Sequence, residues 1–85
     1  MLSGQERRLR KVALGMAVRQ RRMQLGISSQ EALADLAGCD RQSINRLENA
    51  QYSTLVDNLE SVAEALGWSM VELFVARDAV LREIR

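Results

Sequence analysis

The feature that most constrains this 85-residue sequence is a break of about three residues around Gly38, between two short helix-length segments. The first opens in Ser28-Ser29-Gln30-Glu31, where Ser28 with Glu31 fits a capping box and Ser29 is the other candidate cap. Leu33, Leu36 and Ala37 are its expected inward residues, and Gly38 ends it. Asp40 is a strong N-cap for the second, which runs to about Glu48 or Asn49. A glycine-containing turn this short forces two helices to cross steeply. Ala34 is then small because the later helix packs closely over the earlier, and Gly38 supplies positive φ in the turn. Ile44 and Leu47, at i and i+3, are the large apolar residues that anchor the later helix. Its other faces carry Arg41, Gln42, Ser43, Asn45 and Arg46.

The remaining chain reads as helix on either side of this pair. A first segment from about Gln5 to Leu25 places Leu14, Val18 and Leu25 on one face, with Leu9 and Val12 extending it backwards. Gly15 inside it costs about 1 kcal/mol relative to Ala if helical. It marks either a close backbone approach or the point where an N-terminal arm gives way to helix. A fourth helix has Thr54 as its expected N-cap, repeats Leu55, Leu59, Val62, Ala63 and Leu66, and closes at Gly67. A fifth opens with a capping box, Ser69 to Glu72, and continues through Leu73, Phe74, Val80, Leu81 and Ile84. Five helices with short breaks predict a compact all-α domain. Trp68 and Met70 are expected to close its core.

Composition narrows function. There is no histidine and one cysteine, Cys39, so common zinc sites, a His-based triad and an internal disulfide are excluded, and no cofactor or metal is expected. No apolar run is long enough to span a membrane, and no apolar signal-peptide core is visible. These features predict a cytoplasmic binding module rather than an enzyme. Cys39 reads as a small half-buried apolar residue more readily than as a redox switch. Net charge is +1, from 12 basic and 11 acidic residues, but it is unevenly spread. Residues 1–22 carry Arg7, Arg8, Arg10, Lys11, Arg19, Arg21 and Arg22 against Glu6, while 23–50 and 51–85 are each net acidic. A basic end on a near-neutral body suits an anionic partner, or else a solvated helix face.

Three stretches carry a resemblance: Arg22-Met23-Gln24-Leu25-Gly26, Ser29 through Gly38, and Ser43-Ile44-Asn45-Arg46-Leu47-Glu48-Asn49. Ala63-Glu64-Ala65-Leu66-Gly67 and Val71-Glu72-Leu73-Phe74 add to it. Residues 14–74 resemble the helix-turn-helix domain of the Cro and repressor-like, or xenobiotic-response-element, family. The departures lie in loops: one extra residue between Gly26 and Gln30, Ala50 where the family often has Gly, and Thr54 where it often has Pro. The resemblance implies a five-helix, lambda-repressor-like fold that binds double-stranded DNA with its third helix in the major groove.

By position, the resemblance makes Arg41, Gln42, Asn45 and Arg46 base-facing candidates, with Ser43 at the edge. Arg can bond guanine O6 and N7, and Gln or Asn can bond adenine N6 and N7. Phosphate candidates are Arg19, Gln30, Asn49, Gln51, Tyr52, Ser53 and Thr54, with packing under the loop an equal alternative for Tyr52. Arg22 is expected to pair with Glu48. Residues 1–13 form a basic N-terminal arm or helix extension, and 75–85 a C-terminal helical extension. Leu73, Val80, Leu81 and Ile84 are the expected dimer interface, the alternative being that the tail folds back on its own first helix. The resulting expectation is a sequence-specific regulator of transcription, of the repressor-like type, that binds a two-fold operator as a homodimer. The competing expectation is an antitoxin-like module in which a protein partner is primary.

Overall fold

The structure, a computed structural model, describes residues 2–52 and 56–85. Its five helices are α1 (Gly4–Gln24), α2 (Gln30–Ala37), α3 (Arg41–Glu48), α4 (Val56–Ala65) and α5 (Met70–Ile84). No strand occurs among the described residues. The expected cap Thr54, the phosphate candidate Ser53, and Leu55 lie outside them.

Local sequence sets the helix ends. Ser29, and not Ser28, caps α2 by accepting from the Ala32 N–H at 3.0 Å. Asp40 caps α3 through the Ser43 N–H at 2.7 Å. Ser69 and Glu72 form a reciprocal capping box at α5. Gly38 ends α2 with φ +71°, a left-handed conformation that costs a side-chain-bearing residue about 1 kcal/mol or more. Ala50, where the family often has Gly, takes φ +59°.

The main core joins all five helices: Leu14 and Val18, Leu33 and Ala34, Ile44 and Leu47, Leu59, Val62 and Leu66, and Leu73. Two expected inward residues do not contribute. Leu25 lies exposed at the end of α1, and Leu36 is 64% exposed. At 3.6 residues per turn, Leu36 falls roughly 110° from the centre of the Leu33, Ala34 and Ala37 face, too far round to reach α3 or α4.

A second cluster revises the reading of the tail. Val80 and Leu81 pack on Ala13 and Ala17 of α1, with Leu9, Met16, Ala76 and Ile84 around them. Leu73 is fully buried in the main core and Ile84 is half-buried. Leu73, Val80 and Leu81 are therefore covered by their own chain and are not free to form the expected interface with a second copy; the tail takes the alternative, folding back on α1. The cause is the length of α1. Its 21 residues reach roughly 31 Å, past the α2–α4 body, and their first half needs cover. Ala13 and Ala17, four residues apart, let α5 approach closely, and burying each of Val80 and Leu81 contributes about 1.5–3 kcal/mol. Glu6 ties the two ends together, bonding Arg85 and pairing with Arg10 at 3.6 Å. Residues 4–13 and 75–84 are thus continuous with the rest of α1 and α5. The basic N-terminus takes the helix-extension form.

Candidate nucleic-acid interface

The helix pair α2–α3 presents one polar face, and its position is set by what lies beneath it. Ile44 and Leu47 are buried, which turns the opposite side of α3 outward. Arg41, Gln42 and Arg46 are exposed, and Ser43 and Asn45 are half-buried. At the far end of α3 the backbone of α1 comes unusually close. A Cβ on Gly15 would meet the Leu47 carbonyl oxygen at 2.5 Å and that of Glu48 at 2.7 Å. Of the two readings of Gly15, close backbone approach is the one the molecule uses.

Beside this contact lies a buried ion pair. Arg22 donates from Nε to Glu48 Oε2 at 2.8 Å, from Nη2 to Oε1 at 3.2 Å, and from Nη1 to the Ile27 carbonyl at 3.0 Å. Arg22 is 7% exposed, so its charge is compensated almost wholly by this geometry. Gln30 Nε2 also donates to Glu48 Oε1, at 3.2 Å, and Asn45 Nδ2 donates to Gln30 Oε1 at 3.0 Å. The pair expected from sequence is therefore one end of a chain that reaches the face of α3.

Around the start of α2, Arg19, Ser28, Ser29, Gln30 and Asn49 line a shallow polar hollow. The free N–H groups of a helix start favour an anion there, and exposed Arg19 adds positive charge. Asn49 Nδ2 is turned back to the Asn45 carbonyl at 2.8 Å, and Gln51 is exposed. Tyr52 is half-buried against the main core, and burial pushes its hydroxyl pKa up. Packing under the loop is thus the observed role of its ring. Lys11 donates to the Tyr52 carbonyl at 2.6 Å and stands 5.3 Å over the ring, which fixes the loop to α1.

The basic N-terminal stretch is divided in use. Lys11 and Arg22 serve the contacts above, and Arg21 donates to the Leu66 carbonyl at 3.0 Å and stacks 5.0 Å over Trp68. Arg7, Arg8 and Arg19 remain exposed. Sequence reasoning missed the Lys11 and Arg21 contacts and the Gln30–Asn45 bond, because each depends on where a distant helix passes. Cys39 is half-buried, and burial followed by the neighbouring Asp40 charge pushes its thiol pKa up, which makes it a poor nucleophile. Among the described residues there is no cluster of three or more metal-ligating side chains. No described helix is long and apolar enough to cross a membrane.

Comparison with known proteins agrees with this geometry. A family model described as helix-turn-helix matches residues 18–73. Two crystal structures of the clp gene regulator ClgR from Corynebacterium glutamicum are similar to the chain, each at 27% identity. One superposes with a TM-score of 0.77 over 88% of this chain and 78% of its own. The other gives 0.74 over 86% and 91%. A search of curated proteins gives no match.

Proposed function

Since the chain belongs to the helix-turn-helix family and is a DNA-binding transcriptional regulator rather than an enzyme, we propose that it reads a two-fold symmetric operator as a homodimer. In this reading α3 enters the major groove of double-stranded DNA, and Arg41, Gln42, Asn45 and Arg46 face base edges with Ser43 at the margin. Arg19 of α1 and Gln30 at the start of α2, with Asn49, Gln51, Ser53 and Thr54, follow the phosphate backbone.

The observation that carries the proposal is the outward polar face of α3, held between the buried anchors Ile44 and Leu47 and the close passage of Gly15. A surface that reads bases must keep its side chains in fixed register, and a helix pinned on its inner side and at its C-terminal end does so. ClgR is named a gene regulator, which supports gene regulation as the role here. In this reading self-association uses a surface other than Leu73, Val80 and Leu81, which are buried within the chain. Val71 and Val75, four residues apart on α5, are 74% and 62% exposed and offer an apolar stripe to a second copy. Two-fold dimers of helix-turn-helix domains read half-sites about 34–36 Å apart.

The test is selection of bound duplexes from a random library at about 0.15 M salt, where non-specific binding is partly suppressed. Enrichment of a two-fold symmetric motif is the expected result. Retention of duplexes with no shared motif contradicts the proposal. Equilibrium sedimentation at micromolar protein tests the homodimer, and a monomer would refute it.

A further inference from the structure

We propose that Glu48, acting through Gln30, fixes the polarity of the Asn45 amide, so that α3 selects a base with an exocyclic amino group, adenine or cytosine, at the position Asn45 faces. This inference rests on the major-groove placement of α3 proposed above.

A carboxamide has two nearly isosteric ends, one accepting and one donating, and a free Asn can present either. Here the choice is made from behind. Glu48 is a carboxylate within the buried pair with Arg22, and it is an acceptor at both oxygens. The group 3.2 Å from its Oε1 must therefore be a donor, which sets Nε2 of Gln30 toward Glu48 and Oε1 of Gln30 toward α3. That oxygen in turn demands a donor, and Asn45 Nδ2 meets it at 3.0 Å. Each amide is held in one of its two orientations by the one behind it. Reversing either would set oxygen against oxygen across about 3 Å.

The consequence is chemical. With Nδ2 committed to Gln30, Asn45 offers Oδ1, and at most one N–H, to a partner. An acceptor matches the N6 amino group of adenine or the N4 amino group of cytosine in the major groove. It opposes O6 of guanine and O4 of thymine, which are acceptors themselves. Glu48, Gln30 and Arg22 are positioning residues in this scheme, and Asn45 is the group that reads.

The experiment is duplex selection with wild type, Asn45→Ala and Gln30→Met, with circular dichroism to verify folding of each. Asn45→Ala locates the base pair that Asn45 faces, as the one whose preference it abolishes. At that pair wild type should favour adenine or cytosine over guanine and thymine by about tenfold or more. Gln30→Met removes the amide that orients Asn45 and leaves the Arg22–Glu48 pair in place. It should bring that preference to within about threefold while the other positions keep theirs, whatever the uniform loss from a missing phosphate contact. A role of Gln30 in phosphate contact or stability alone would weaken all sequences equally and leave the preference intact, which overturns the proposal. So would a wild-type preference for guanine or thymine there, or an Asn45→Ala variant that changes no position. Absence of any motif with wild type is the separate failure that removes the major-groove reading itself.

Discussion

Replacing Gly15 with Ala sets two effects of known sign against each other. In an exposed helix interior the change stabilises by about 1 kcal/mol, because Gly is the costlier residue there. Here the new Cβ would lie 2.5 Å from the Leu47 oxygen, 2.7 Å from the Glu48 oxygen and 3.0 Å from the Glu48 carbonyl carbon. These are backbone atoms and cannot rotate aside. Relief requires α1 and the C-terminal end of α3 to separate, which also pulls on the Arg22–Glu48 pair two turns further along α1. Overpacking of this kind costs about 1–3 kcal/mol, at the upper end where the neighbour cannot yield. A net loss of roughly 2 kcal/mol remains after the propensity gain. For a domain of this size that lowers Tm by about 8–16 °C. Thermal unfolding followed by circular dichroism reads it directly. Gly4→Ala is the control, since nothing lies within 4 Å of its Cβ, and it should shift Tm little. A Gly15→Ala protein as stable as wild type, or more so, would refute the argument that α1 and α3 touch through this glycine.

Three further predictions follow from the packing and the charges. Arg22→Met should destabilise by about 3–5 kcal/mol in urea unfolding, because Glu48 is left buried without its partner, and adding Glu48→Met should recover much of the loss. Leu81→Ala should cost about 2–5 kcal/mol in an amount independent of protein concentration, as a contact within one chain requires, whereas a concentration-dependent loss would restore it to a subunit interface. The Asp40 carboxyl is held below its usual range, chiefly by the Ser43 backbone N–H, so its stabilisation is present above the pKa of the unfolded chain and fades as pH falls through the folded value. The stability advantage of wild type over Asp40→Asn should accordingly shrink on acidification, as measured by Tm across that range, and an advantage that grows would contradict the cap.

What the sequence disclosed and what it hid divide along a physical line. Features decided within a few residues were legible: the caps at Asp40 and Ser69, the left-handed Gly38, the anchors Ile44 and Leu47. Each depends on short-range backbone chemistry or on helical period. The Arg22–Glu48 pair was legible through family resemblance. Misreadings arose where the placement of a distant helix decides. Leu36 sits in an apolar run, but the wheel turns it outward. Val80 and Leu81 read as surplus to a small core, with packing back on the first helix the lesser alternative, because nothing local marks Ala13 and Ala17 as the groove that receives them. The polar face of α3 was visible as composition, but the bonds that join Gln30, Asn45 and Glu48 exist only once α2, α3 and α1 have crossed.

The central claim, that α3 reads sequence in double-stranded DNA, is tested most directly by one comparison. The affinity of the purified protein for its selected duplex is measured against a scrambled duplex of the same composition, at about 0.15 M salt, for wild type and for Arg46→Ala. The account predicts a preference of about a thousandfold or more for wild type, reduced roughly five- to hundredfold by Arg46→Ala with the fold intact. Equal affinity for both duplexes, or an unchanged preference in Arg46→Ala, would contradict it.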